Sequence, residues 1–221
     1  MHYLGLALYA EGPTDYYFLR PVLQRLCEDV CTQESTQPVE VSEVNSLDHP
    51  EVSNEAPREQ RILAAAKDAR GSWNLLFVHA DGSGDCDRVR AQQVQPAIEL
   101  LQQELAREGI GVAVIPIRET EAWAICDGNA LRQVFGTTLT DELLELPLLP
   151  FAVESDLDPK ETLHKAILNT SPSGRHKKQG FTPMLNALGE QVSLQQLRRL
   201  TAFNALENEL KQALQQLRIL P

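Results

Sequence analysis

Three short acidic stretches hold the residue types best suited to chemistry: Glu11-Gly12-Pro13-Thr14-Asp15, Asp81-Gly82-Ser83-Gly84-Asp85-Cys86-Asp87 and Glu119-Thr120-Glu121. Each follows an apolar run of strand length, at residues 3–10, 75–78 and 112–117. In an open parallel sheet, ligands bind beyond the carboxyl ends of the strands, so acids placed there converge. Converging carboxylates repel and raise one another's pKa unless a cation neutralises them. Oxygen donors select a hard ion, Mg2+ or Mn2+. Such an ion clamps a phosphate and activates an attacking water, the two requirements of phosphodiester cleavage or transfer.

On this reading Glu11, Asp81 and Glu121 are the expected catalytic carboxylates, and Glu11, Asp81, Asp85 and Glu121 the expected metal ligands. Each also has a plainer reading. Glu11 and Asp15 suit the start of a helix, where an acid contributes about 0.3–1 kcal/mol, and Asp15 fits that role better than Glu11 does. The 81–87 stretch reads equally as a turn. It is not a calcium hand, because Cys86 stands at the sixth position and Gln92 at the twelfth, where Gly and a bidentate Glu belong. Nor is it a bare phosphate cradle, since three acids beside Gly82 and Gly84 repel phosphate without a metal between them. Glu119 and Glu121 share a face if that segment is extended and diverge if it is helical. His79 reads as the end of a buried strand, with an outer role beside a metal left open.

The elements that must carry these residues follow from hydrophobic period. Residues 3–10 are apolar on both alternating faces, as in a strand covered on both sides. Thr14 is placed to cap a helix whose stripe is Phe18, Leu19, Val22, Leu23, Leu26 and Val30, with Pro21 inside it. A half-exposed strand at 39–44, a loop at 45–57 and a helix from Arg58 to Arg70 come next. After the 75–78 strand, the stripe Val89, Val94, Ile98, Leu101 and Leu105 predicts one helix over 86–107, stopped by Gly109. Pro116 should lie near the end of the 112–117 strand. The remainder is helical, with helices at 159–168 and 194–217. The expected architecture is therefore α/β: an open, mostly parallel, Rossmann-like sheet flanked by helices over 1–127, with a helical C-terminal extension over 128–221.

Composition narrows the classes. At 221 residues, 43% hydrophobic and 23% charged, the chain has the make-up of a folded globular protein. It has no apolar run of about 18 residues and no signal-peptide order at Met1-His2-Tyr3-Leu4, so a cytoplasmic protein without membrane attachment is expected. Its four cysteines form no CxxC pair and read as reduced, mostly buried thiols. A net charge of −11 argues against coating nucleic acid by charge alone. Residues 172–221 are nevertheless +4, against −15 for the rest. They hold the one dense basic cluster, Arg175-His176-Lys177-Lys178, either a solvated loop or a set of phosphate contacts at Arg175, Lys177 and Lys178, with a Lys such as Lys177 stabilising developing charge.

The order Glu11-Gly12, then Asp81-Gly82, resembles the Toprim (topoisomerase-primase) pattern of a Glu after one strand and Asp-x-Asp after a later one. Together with His79-Ala80-Asp81-Gly82, Glu119-Thr120-Glu121-Ala122-Trp123 and Asp158-Pro159-Lys160, it is similar to a family of small Toprim-like bacterial proteins. The resemblance implies Mg2+- or Mn2+-dependent phosphoryl transfer on DNA or RNA, a defence- or toxin-like setting, and an ABC-type ATPase as partner. Ser83 stands where the second Asp of the pattern belongs. Three functions are therefore expected in competition: a metal-dependent nuclease, a catalytically inert binding subunit of an ATPase-containing complex, and a phosphohydrolase acting on nucleotides. The C-terminal leucine stripe reads either as core, the commoner case, or as the contact of a homo-oligomer.

Overall fold

The computed structural model describes residues 1–47, 56–170 and 182–221. Four parallel strands form one sheet: β1 (His2–Tyr9), β2 (Val39–Ser46), β3 (Leu75–His79) and β4 (Ile110–Val114), in the order β2-β1-β3-β4. Helix α1 (Asp15–Glu34) links β1 to β2, and α2 (Arg58–Asp68) follows β2. A compound helix of α3 (Cys86–Val89), a π-turn (Arg90–Val94) and α4 (Gln95–Leu105) links β3 to β4. The chain thus leaves β1 outward to β2, then returns to the other side of β1 for β3. That reversal opens a crevice beyond the carboxyl ends of β1 and β3, the place where sheets of this kind bind ligands.

Side chains alternate across the sheet with the strand period of two. Leu4, Leu6 and Leu8 of β1, Leu75 and Phe77 of β3, and Val112 and Val114 of β4 enter the core shared with α1 and the C-terminal helices. Ala7, Tyr9, Leu76, Val78 and Ala113 enter a second core beneath α2 and α4. Both faces are covered, which is why these strands read as unbroken apolar runs. β2, one of the two edge strands, is mostly half-exposed or exposed.

After β4 come α5 (Glu121–Ala124), α6 (Gly128–Phe135), a 3-10 turn (Pro150–Ser155), α7 (Pro159–Thr170), α8 (Thr182–Gln191), α9 (Leu194–Leu197) and α10 (Thr201–Gln216). Leu163, Leu188, Phe203, Leu206 and Leu210 from these helices join the core that holds Leu8 and Phe77. Trp123 is wholly buried there, with its ring edge-on to Phe203 at 5.2 Å.

Four local expectations are corrected. Thr14 makes no capping bond; instead the Asp15 carboxylate accepts from Gly12 N at 2.9 Å, tying the turn before the helix to its first residue. The 86–107 helix is broken by the π-turn. Pro96 lacks the N–H a regular helix would use there, and the turn keeps Val89 and Val94, five apart, on the buried face. β4 spans Ile110–Val114, ending before Pro116. The 194–217 helix is two helices, because Leu200 is extended and Glu154, not a local residue, accepts from Ala202 N at 2.9 Å.

Glu209 of α10 joins the extension to the sheet. One carboxylate oxygen accepts from Ala113 N on the outer edge of β4 at 2.9 Å, and the other pairs with Arg90 at 2.7 Å. Glu209→Ala leaves a strand N–H without its partner and is expected to cost about 1–3 kcal/mol, read as a lower urea midpoint.

Among the described residues no helix is long and apolar enough to cross a membrane. All four cysteines are free; Cys27, Cys31 and Cys126 are buried and Cys86 is half-buried.

Candidate metal centre

The crevice between β1 and β3 is where the acids meet. Glu11 lies two residues beyond β1, and its carboxylate accepts from Asp81 N at 3.0 Å, across 70 positions of sequence. Asp15, in the first turn of α1, is almost buried. His79, the last residue of β3, is wholly buried between them. Ligand atoms of Asp15, His79 and Asp81 all fall within 4.8 Å of one another.

The hydrogen bonds of His79 fix its role. Glu11 N donates to Nδ1 at 3.3 Å, which requires a lone pair there and puts the imidazole proton on Nε2. Nε2 lies 3.1 Å from Thr120 Oγ1 and 3.3 Å from Asp81 Oδ1. Both ring nitrogens are engaged, Nδ1 by Glu11 N and Nε2 by Thr120 Oγ1, with Asp81 Oδ1 alongside but not hydrogen-bonded, so His79 positions the Glu11 backbone rather than offering a lone pair to an ion. That role was legible only as an open alternative, because nothing in the local sequence shows what packs around a buried imidazole.

Burial raises the pKa of Asp15. His79, when protonated, opposes this and the charge of Asp81 adds to it. Burial also raises Glu119, with Asp81 adding and Lys160 opposing. Glu121, the first residue of α5, is pushed up to about 7 by burial, with Asp15 and Glu119 contributing. The buried Asp81 Oδ1 and Glu119 Oε2 have no hydrogen-bond partner among the described residues. Leaving such an acceptor unmet costs about 1–3 kcal/mol, more for a charged group. Carboxylate oxygens, some without partners and repelling one another, are the donor set of a hard divalent cation, so Mg2+ or Mn2+ fits this site.

The other expected residues are placed as follows. Glu121 is half-buried beside Asp15 and lines a cavity of about 420 Å3 with Thr14, Asp158, Lys160 and Leu185. Asp85 points elsewhere: it caps α3, accepting from Arg88 N at 3.1 Å, and lies 3.6 Å from the Arg88 guanidinium. Ser83 (φ 49°) and Gly84 (φ 84°) both adopt left-handed backbone, which carries the chain away from the crevice before Asp85. The Arg175, Lys177 and Lys178 cluster lies outside the described residues.

Three residues given no metal-binding or catalytic role by the sequence reading enter here: Asp15, Lys160, and Glu119, where the sequence reading preferred Glu121. Asp15 looked like an ordinary first-turn acid, which it also is. Lys160, at the start of α7, faces Glu119 and Glu121 as a positive charge and forms no ion pair within 4 Å among the described residues. The Asp158-Pro159-Lys160 stretch by itself gives it no role, since α7 reaches the crevice only through the packing of the extension.

A family model described as "Domain of unknown function (DUF4276)" matches residues 10–211. The chain belongs to that family. The DUF4276 match spans all three acidic stretches and Lys160. No curated protein and no solved structure matches the chain.

The raised Glu121 carboxyl predicts a pH dependence. Its folded pKa of about 7 exceeds the ordinary 4.5, so the folded state holds the extra proton between those values. The metal-free protein is therefore expected to lose stability as pH rises from 4.5 through about 7 and to level off above. Glu121→Gln should flatten that decline in thermal melts recorded across the range. A decline of equal depth in the variant would assign the effect to another group.

Proposed function

We propose that the protein is a Toprim-like, Mg2+- or Mn2+-dependent phosphodiester hydrolase acting on DNA or RNA in the cytoplasm, in a defence- or toxin-like role. One observation carries the reading: Glu11 and Asp81, from distant stretches of chain, share a hydrogen bond at the crevice between β1 and β3, with an Asp81 carboxylate oxygen that has no hydrogen-bond partner among the described residues.

Glu11, Asp15, Asp81 and Glu119 are the residues that would hold the ion. The bound ion would neutralise the scissile phosphate and lower the pKa of an attacking water. His79 would keep the Glu11 backbone in place through Nδ1, with Nε2 held by Thr120. Glu121, pushed up to about 7 by burial, would hold a proton at its carboxyl near neutrality and give it to the leaving oxygen. Lys160 supplies the positive counter-charge that the sequence reading assigned to Lys177.

The test is incubation of the full chain with plasmid DNA and with a structured RNA in Mg2+ or Mn2+. Cleavage that disappears with a chelator and in Glu11→Gln and Asp81→Asn supports the reading. Cleavage that persists unchanged in both variants overturns it.

A second reading is favoured by Ser83 at the second acidic position and by Asp85 being committed to its cap. On that reading the protein is a catalytically inert subunit that binds a partner such as an ABC-type ATPase. Mn2+ binding in calorimetry without cleavage of either substrate would favour it.

A further inference from the structure

The acidic crevice is flanked by three arginines that the described residues leave incompletely satisfied. The buried Nε atoms of Arg58, Arg61 and Arg118 have no hydrogen-bond partner among the described residues. Arg58 is anchored: its guanidinium donates to the His79 carbonyl at the end of β3 and lies over the Tyr9 ring at 5.8 Å. Burial lowers its pKa, and the charge of Glu11 opposes that, which places the guanidinium beside the crevice. Arg61, one turn along α2, adds repulsion to Arg58 and forms no ion pair within 4 Å among the described residues. Arg118 follows β4. Its carbonyl accepts from Ser83 N at 3.2 Å, and its guanidinium carbon lies 3.2 Å from where a Cβ on Gly84 would sit, against the loop that carries Asp81. It too forms no ion pair within 4 Å among the described residues.

Two like-charged guanidiniums held close together while carboxylates stand nearby are a poor arrangement for stability alone, because each buried donor left unmet costs free energy. They suit an anion that supplies oxygens to several planar donors at once. Along the edge of the sheet the order is Arg58 with Arg61 by the ends of β1 and β3, then Asp81, then Arg118 by the end of β4. We propose that Arg58 with Arg61, and Arg118 beyond Asp81, grip successive backbone phosphates of a nucleic-acid strand on the two sides of the acidic centre. This deepens the nucleic-acid reading and rests on it. It also accounts for how a chain of net charge −11 holds a polyanion: the grip is local and does not depend on overall charge.

The experiment uses the full chain in Ca2+, with a short fluorescein-labelled DNA strand, its duplex and the RNA of the same sequence as probes, titrated by anisotropy from about 50 to 200 mM salt. Arg61→Ala and Arg118→Ala are each expected to weaken binding about tenfold at low salt. Each should also reduce the slope of log affinity against log salt by about one. Arg61→Lys should recover most of the salt slope and only part of the affinity, because it restores charge without the planar fork. Arg70→Ala, which removes the same charge just beyond the far end of α2, should leave affinity and slope unchanged. Mn2+ calorimetry should be the same for all of these proteins. If Arg61→Ala and Arg118→Ala do no more than Arg70→Ala, or if the wild-type chain binds none of the probes, the grip is overturned. If the arginine variants behave as expected while Mn2+ does not bind, the metal-dependent reading fails and the grip stands.

Discussion

Exchanging Asp81 for Asn is expected to lower Mn2+ affinity by at least about a hundredfold, the upper end of what losing even an outer-shell partner costs a metal site. Cleavage should fall with it. The reasoning starts from Asp81 Oδ1, which is buried and has no hydrogen-bond partner among the described residues. Asn keeps the shape but removes the charge, and its amide nitrogen offers N–H donors where a cation needs an oxygen. Glu11→Gln is the matched test. Gln retains a carbonyl oxygen to accept from Asp81 N, so the link between the two loops survives and the urea midpoint should move little. A large loss of Mn2+ binding with an unchanged midpoint is the expected signature for Glu11→Gln. An equal loss of both would mean that the residue is structural and the assignment wrong.

Gly82→Ala is expected to destabilise the fold by about 1–3 kcal/mol and to abolish Mn2+ binding as well. A Cβ at this position would run into the Pro116 carbonyl, lie 2.7 Å from the Ile117 carbonyl and 2.8 Å from Cys86 Sγ. Two of these are backbone atoms, unable to swing aside. They are also the acceptors that hold the loop: Gly82 N donates to Pro116 O at 2.9 Å and Gly84 N to Ile117 O at 2.7 Å. The added methyl must therefore part the loop from the segment after β4, and Asp81 moves with it. Urea melts read the first effect and calorimetry the second. A variant as stable as the parent that binds Mn2+ normally would show that Asp81 does not depend on this close approach.

The sheet was legible because β1, β3 and β4 are covered on both faces, and doubly covered strands have to be apolar throughout. The same logic located Glu11 and Asp81, since residues after such strands fall at one edge. What escaped the sequence was decided by contacts far along the chain. α10 begins where it does because Glu154 reaches Ala202 N from 48 residues away, so no Gly or Pro marks the break after α9. Asp85 had the right spacing for a ligand, yet a free helix terminus and Arg88 one turn on claimed its carboxylate. Asp15 had the spacing of a first-turn acid and is one, while the fold also carries it to His79. The sequence reading made Arg58 only the start of a helix and did not single out Arg61; the crossover that sets α2 beside the end of β3 makes Arg58 a neighbour of the acids.

Glu209 has a bearing on how copies of this protein can meet. By occupying the outward Ala113 amide of β4, it presents an incoming strand with a carboxylate where that strand needs an open donor. Lateral growth of the sheet is thereby blocked on that flank, and any strand-to-strand seam between molecules would have to run along β2.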